Sequence, residues 1–206
     1  MKIYFLDVES DAKIKKADVD KLKSKGNFCI VATLQYENQA KDLAKILGKK
    51  YAGVILGCNV DNALRFAKKV DKFLLVGSGR FHALRIALKT NKEVVVYNPK
   101  TASIESITKK DLENYKKKVK GKQAKFLAAN VVGILVSIKP GQFNYLQALK
   151  IKTKLKKLGK ECHLFLFDTL QEFGLEDFPF VECWLNTACP WIEGKNIINL
   201  EDLPKI

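Results

Sequence analysis

The chain has 206 residues, 47% of them hydrophobic, and a formal net charge of +15. That is enough apolar material for one large core or two small ones. No apolar run reaches the roughly 18 residues that cross a bilayer, and the opening "MKIYFLDVESDAKIKK" has no small-residue cleavage site, so a soluble cytoplasmic protein with no membrane association is expected.

Taken in chain order, residues 2–8 ("KIYFLDV") read as a strand and 15–25 as a short polar helix. "FCIVATL" (28–34) is a strand, and "ENQAKDLAKILGKK" (37–50) is an amphipathic helix with Ala40, Leu43, Ala44, Ile46 and Leu47 as its apolar residues. "YAGVILGC" (51–58) is a strand ending on Gly-Cys, and 62–70 a helix. "KFLLVGSG" (72–79) is a strand running into a glycine turn, 81–91 a helix, and "EVVVYNP" (93–99) a strand stopped by Pro99. Residues 100–130 form a connector, an acidic-polar piece followed by a Lys-rich helix.

The pattern then restarts. "VVGILVSI" (131–138) is a strand, "KPGQ" (139–142) a turn, 143–159 a helix and "ECHLFLFD" (161–168) a strand. Residues 169–179 hold a short helix and turn, and "FVECWLNTA" (180–188) is a strand that runs into Cys189-Pro190. Continuously apolar strands alternating with helices mark βαβ units around buried, mostly parallel sheets. Residues 30–50 and 135–161 share strand, polar turn with Gln, apolar-faced helix and Gly-Lys exit. The fold class is therefore α/β, with two similar βαβ subdomains. The boundaries are a short segment 1–27, an α/β domain over 28–128 and a second over 129–206.

The positive charge is nearly all lysine, since Arg occurs only at Arg65, Arg80 and Arg85, and it is densest over Lys109–Lys125. A solvated helix face is the simplest reading. A docking surface for an acidic or ribonucleoprotein partner comes second. Direct nucleic-acid binding is not expected, because base readout favours Arg and no aromatic-basic interleaving marks an RNA-binding sheet.

The five cysteines are Cys29, Cys58, Cys162, Cys183 and Cys189, with no C-x-x-C pair. Cys29, Cys162 and Cys183 sit inside strand-like runs and read as small buried hydrophobes. Cys58 and Cys189 each end a run. Ligands of open α/β sheets bind beyond the carboxyl ends of the strands, and four turns lie there: "GCN" (57–59), "GSGRFH" (77–82), "KPGQ" (139–142) and "NTACPW" (186–191). The Gly77-Ser78-Gly79 turn before a helix offers N–H groups to an anion. It lacks the third glycine of a dinucleotide fingerprint and any Walker lysine, so a plain strand-to-helix turn explains it equally. His82 reads as a structural residue as readily as a functional one, and His163 takes no role.

"GVILGCN" (53–59), "FLLVGSGRFHALRIAL" (73–88), "VVGILVSIKPGQ" (131–142) and "FPFVECWLNTACPWI" (178–192) occur in this order, and together the sequence resembles the diphthamide synthase family, the 2-(3-amino-3-carboxypropyl)histidine synthases. The resemblance implies three similar α/β domains around one 4Fe-4S cluster, each giving one cysteine. Such a cluster cleaves S-adenosylmethionine by a radical route, and the 3-amino-3-carboxypropyl group passes to a histidine of translation elongation factor 2. On this likeness Cys58 and Cys189 are the metal ligands of the second and third domains. Gly77, Ser78, Gly79, His82, Pro140, Gly141, Gln142, Asn186 and Thr187 fall on turns near the cofactor.

The sequence also departs from the family pattern. Residues 1–27 are only a remnant of a first domain and linker, so the third ligand is expected in trans, from a separate first-domain chain or a homologous subunit. Trp191 stands where the family has Arg, and "FHA" (81–83) where it has "FHP". Two roles follow from the likeness: component of a transferase, or non-catalytic scaffold of an active synthase. A basic ribosome-associated module using Lys109–Lys125 is a weaker third.

Overall fold

The computed structural model describes residues 8–205. The strand expected over 2–8 lies outside them, apart from Val8. The chain divides into two compact units, Met1–Asn114 and Tyr115–Ile206. Among the described residues no helix is long and apolar enough to cross a membrane.

The first unit contains α1 (Lys16–Lys23), β1 (Phe28–Thr33), α2 (Glu37–Leu47), β2 (Tyr51–Ile55), α3 (Asp61–Leu64), β3 (Lys72–Val76), α4 (Phe81–Thr90), β4 (Glu93–Asn98) and β5 (Ser103–Ile107). Its sheet runs β2-β1-β3-β4-β5. The first four strands are parallel, and β5 returns antiparallel along β4. Side chains alternate across the pleat, and helices cover both faces, which explains why the middle positions of β1, β3 and β4 are continuously apolar. Ile30, Leu74 and Val95 pack on the face covered by α1 and α2. Val31, Leu75 and Val94 pack on the face covered by α3 and α4.

The second unit takes in most of α5 (Lys109–Ala128), then β6 (Val131–Ser137), α6 (Tyr145–Lys157), β7 (Glu161–Phe167), β8 (Cys183–Asn186) and β9 (Ile197–Asn199). Its sheet runs β7-β6-β8-β9, all parallel. One face is covered by α6 through Ala148, Ile151 and Leu155, with Phe126 of α5. The other is covered by no long helix. Leu135 and Trp184 there meet Phe165 and Phe178 in an edge-to-face aromatic cluster.

The restarted pattern is real at the level of topology. In each unit the first strand is central, the second lies on one side of it and the third on the other. The helices that follow those first strands, α2 and α6, end the same way: Gly48 (φ +61°) and Gly159 (φ +81°) take the left-handed conformation. In each, the following lysine N–H reaches back to a carbonyl of the last turn, Lys49 to Ala44 at 2.9 Å and Lys160 to Leu155 at 3.1 Å. This is the Schellman ending that only glycine adopts without strain.

Three expectations needed adjustment. Ile46 is 57% exposed, because the buried stripe runs through Ala40, Leu43 and Ala44 and Ile46 falls off it. The helix over 62–70 is α-helical for one turn only. The connector hides β5, whose polar alternation suits an edge strand. The chain after Cys189 adds β9. The Lys-rich helix opens on a capping box, in which the Thr108 N–H donates to Asp111 Oδ2 (2.8 Å) and the Asp111 N–H donates to Thr108 Oγ1 (3.2 Å). Lys116, Lys117, Lys118 and Lys120 stand in solvent.

One buried polar contact ties α1 to the sheet. The Tyr97 hydroxyl donates to Asp18 Oδ2 at 3.0 Å, with both residues buried. Tyr97→Phe is expected to cost about 1.5–3 kcal/mol, the range for a hydrogen bond to a charged group, measured by urea unfolding. Burial, reinforced by Asp18, raises the Tyr97 pKa above its ordinary value. The folded chain therefore keeps a proton that the unfolded chain sheds near pH ~10. Stability is whole below that pH and falls as pH rises past it, and the wild-type advantage over Tyr97→Phe shrinks there.

Candidate functional site

Because the strands of each sheet run parallel, β5 excepted, their carboxyl ends gather along one edge. In the first unit this edge carries Cys58, the Gly77–Gly79 turn and His82. In the second it carries Pro140–Gln142 and Asn186–Cys189.

Cys58 follows β2 in a tight turn closed by a bridge between Leu56 and Asn59. Asn59 Oδ1 accepts the Asp61 N–H at 2.9 Å, starting α3. The thiol residue is half-buried. Beyond β3, Gly77 is buried and its N–H bonds Tyr97 O at 2.9 Å, while Ser78 and Gly79 are exposed. β2 and β3 flank β1, so these two turns stand about 10 Å apart by strand spacing. Arg80, the N-cap of α4, makes no capping bond. Its guanidinium reaches Glu105 (3.2 Å) and Asp111 (2.9 Å) instead. His82 sits in the first turn of α4 with Nδ1 buried and unpartnered, and burial lowers its pKa.

In the second unit Pro140 and Gly141 are exposed and Gln142 is half-buried. The turn closes through Gln142 N–H to Lys139 O (3.0 Å) and Lys139 N–H to Ser137 Oγ (3.1 Å). One strand over, β8 delivers Asn186 and Thr187, which are 1% and 2% exposed. Their side chains are spent on the loop that holds Cys189. Asn186 Nδ2 donates to Cys189 O (2.7 Å) and Asn199 Oδ1 (2.7 Å), and its Oδ1 accepts the Ala188 N–H (3.0 Å). Asn199 Nδ2 donates to Pro190 O at 2.7 Å. Thr187 Oγ1 donates to Leu135 O (2.8 Å), and Asn144 Nδ2 donates to Thr187 O (2.8 Å). Four polar side chains thus fix the backbone on either side of a half-buried cysteine. Asn144 and Asn199 escape sequence reading, since their partners are distant in the chain. The only hint is "NIIN" (196–199), an apolar pair closed by Asn.

The other three cysteines are of a different kind. Cys29, Cys162 and Cys183 are at most 3% exposed. Burial pushes the Cys29 and Cys183 thiols up to about 11 and raises that of Cys162. They stay protonated and donate weakly to Lys50 O, Asn196 O and Lys160 O. His163 pairs with Glu161 at 2.8 Å on an exposed edge. A cleft of about 380 Å³ lined by Phe178, Val181, Trp184 and Asn196 lies at the amino end of β8 and β9, away from Cys189.

The cysteines do not follow corresponding strands. Cys58 comes after the second strand of its unit, and Cys189 after the third of its own. Among the described residues no group of three or more His, Cys, Asp or Glu side chains is placed to hold a metal ion.

Two mostly parallel sheets, each with one half-buried cysteine on a loop at its carboxyl edge, define an α/β protein. Among such proteins this chain belongs to the diphthamide synthesis protein family, whose model matches residues 2–198. It is 32% identical over 190 residues to the 2-(3-amino-3-carboxypropyl)histidine synthase of Pyrococcus horikoshii, covering 85% of this chain and 54% of that protein. It is 31% identical over 179 residues to the enzyme of the same name from Methanocaldococcus jannaschii, covering 84% and 48%. The crystal structure of Dph2 from P. horikoshii superposes with a TM-score of 0.81 at 28% identity, over 94% of this chain and 62% of that one. A second structure of that protein, with a 4Fe-4S cluster, gives 0.78 at 29% identity, over 91% and 59%. The chain thus spans about half the length of the curated relatives it matches.

For such a cluster the residues here fit in kind and fall short in number. Cys58 and Cys189 are half-buried thiols on loops at the carboxyl edge of their own sheets, and they are two where iron–sulfur clusters are ordinarily held by four protein ligands.

Proposed function

We propose that this chain is a component of the first step of diphthamide biosynthesis. It takes part in transferring a 3-amino-3-carboxypropyl group from S-adenosylmethionine to a histidine of translation elongation factor 2. Cys58 and Cys189 ligate a 4Fe-4S cluster, and a first-domain chain or homologous subunit provides the third cysteine in trans. The domains at 28–128 and 129–206 then correspond to the second and third domains of the family. The observation that carries this reading is the sorting of the cysteines. Three are buried with raised pKa values or inside strands, and the two that end strands are half-buried in braced loops.

When bound, the cluster supplies the electron that breaks a carbon–sulfur bond of S-adenosylmethionine. The chain's own residues have other tasks. Asn186 and Asn199 hold the Cys189 loop, and the turns at Gly77–Gly79 and Pro140–Gln142 orient the cofactor. Trp191, half-buried beside the loop, replaces a family cation, so charge contacts at that point come from elsewhere. The test is transfer of label from S-adenosylmethionine carrying a radioactive carboxyl group to elongation factor 2, with and without the first-domain chain. Transfer that needs both chains supports the reading. No transfer with both overturns it.

The shortage of donors also suits a second reading, a non-catalytic scaffold of an active synthase. That reading requires tight binding to the catalytic subunit and unchanged transfer when Cys58 and Cys189 are both replaced by Ala.

A further inference from the structure

We propose that the helical face of the second unit, built by α6 and the part of α5 beyond Tyr115, binds the phosphate backbone of an RNA duplex without reading its bases. The inference goes beyond the reading above and does not depend on the cluster.

The sequence of this unit is sorted by charge. From Tyr115 to Lys160 it has thirteen lysines and no Asp or Glu, whereas from Glu161 to Ile206 it has nine acidic residues and two lysines. The fold turns this order into two sides. α5 and α6 lie on one face of the sheet, where Phe126 and Leu155 pack with Ile134 of β6. The segment after β7 packs on the other face, where Leu175 and Phe178 join Leu135 and Trp184, and Glu176 and Asp177 between them are exposed.

On α6, Lys150, Lys154 and Lys157 follow at i, i+4 and i+7 along the solvent side, and all three are exposed. Lys117 and Lys120 are exposed on α5. Among the described residues none of these five has a carboxylate partner. The first unit is a useful contrast, because its helix lysines are paired: Lys23 with Asp20 (3.8 Å), Lys41 with Glu37 (2.9 Å) and Lys45 with Asp42 (3.9 Å). A merely solvated lysine-rich helix has that pattern. In α6 like charges stand one turn apart, which destabilises a helix, and a surface of one sign repels itself. The helix dipole favours lysines in the last turn of α6, but it does nothing for Lys117 and Lys120 in the middle of α5. A bound polyanion relieves the repulsion.

The composition of the face selects the anion. Interfaces between proteins favour Arg and aromatic residues and are poor in Lys, and this unit has no Arg. Arg also dominates base reading in a DNA groove, and single strands are held on exposed aromatic rings. Here Phe126 is buried, and the Tyr115 hydroxyl is taken by Asp202 at 3.4 Å. A lipid surface needs an apolar helix face to insert, and the apolar stripe of α6 is packed on the sheet. A phosphate backbone recognised by charge and shape meets all of these conditions, and that is how RNA duplexes are held. The lack of Arg that argues against base readout leaves this contact untouched.

The test is fluorescence anisotropy of a short labelled RNA duplex titrated with the full chain. Saturable binding is expected, and its affinity should fall roughly 100- to 1000-fold between about 50 and 200 mM salt, as about five phosphate contacts require. The triple variant Lys150→Ala, Lys154→Ala, Lys157→Ala should lower the slope of log affinity against log salt by about 3 and weaken binding at least roughly 10-fold. Its thermal midpoint should not fall, since Ala is the better helix former, so lost binding is not lost folding. Lys23→Ala, Lys41→Ala and Lys45→Ala together remove the same charge from the first unit and should bind as wild type does. Absence of binding at the lower salt, an unchanged slope in the α6 variant, or an equal loss in the first-unit variant overturns the proposal. A DNA duplex of the same length bound as tightly or more tightly overturns RNA as the partner. Displacement of the RNA by polyglutamate, or by vesicles containing phosphatidylserine, at matched charge overturns it in favour of an acidic protein or a lipid surface.

Discussion

Asn186→Ala will cost the second unit about 3 kcal/mol and release the Cys189 loop. Asn186 makes three hydrogen bonds from a position that is 1% exposed. Alanine removes all three and leaves Cys189 O and Asn199 Oδ1 facing a void where water enters poorly. Each lost bond is worth roughly 0.5–1.5 kcal/mol, and a stranded buried acceptor adds to it. Asn186→Asp is the sharper variant. It keeps the shape, yet sets a carboxylate against two acceptors, and is expected to be at least as damaging. Urea unfolding gives the stability loss. Hydrogen exchange at the Ala188 and Cys189 amides shows whether the loop has opened, and these amides should exchange much faster in both variants. Unchanged exchange there would mean that Asn186 does not hold the loop.

Gly133→Ala is the second large effect, with a different cause. Gly133 in β6 lies opposite Trp184 in β8. A Cβ there would stand 2.5 Å from Trp184 Cε3, closer still to Cζ3, and 2.9 Å from Val181 Cγ1. The indole has to move, and it is held at 4.8 Å by Phe165 and at 6.2 Å by Phe178. Overpacking costs about 1–3 kcal/mol, and each weakened aromatic pair about 0.5–1.5 more. A loss near 3 kcal/mol is expected, with a change in tryptophan fluorescence. Gly121→Ala is the matched control. Gly121 sits in α5 with nothing within 4 Å of its Cβ position, so alanine should stabilise by about 1 kcal/mol through helix propensity.

The alternation of apolar strands with helices was enough to order the elements, because both faces of the first sheet are covered and the cores of its parallel strands are apolar. The Gly-Lys exits at Gly48 and Gly159 were legible for the same local reason, a backbone conformation that favours glycine. What escaped is non-local. β9 and β5 are short, and their partners, not their residues, make them strands. The helix over 62–70 shortened to α3 because the chain beyond it tightens into i→i−3 turns, with Phe66 N–H to Ala63 O, Ala67 N–H to Leu64 O and Lys69 N–H to Phe66 O. Cys58 and Cys189 stood out in sequence because each ends an apolar run, and both lie at carboxyl-edge loops. Asn186 and Thr187 read as lining residues, and the structure places their side chains in the bracing of the loop.

The most direct test of the account is anaerobic iron–sulfur reconstitution of this chain with a first-domain chain. Iron and sulfide are counted, and the electronic absorption and EPR of the reduced product are recorded. The account predicts a 4Fe-4S signal that needs both chains and disappears in Cys58→Ala and in Cys189→Ala. Cys162→Ala, a change to a buried thiol, should retain it. A full signal from this chain after either substitution, or its loss in Cys162→Ala alone, would contradict the assignment.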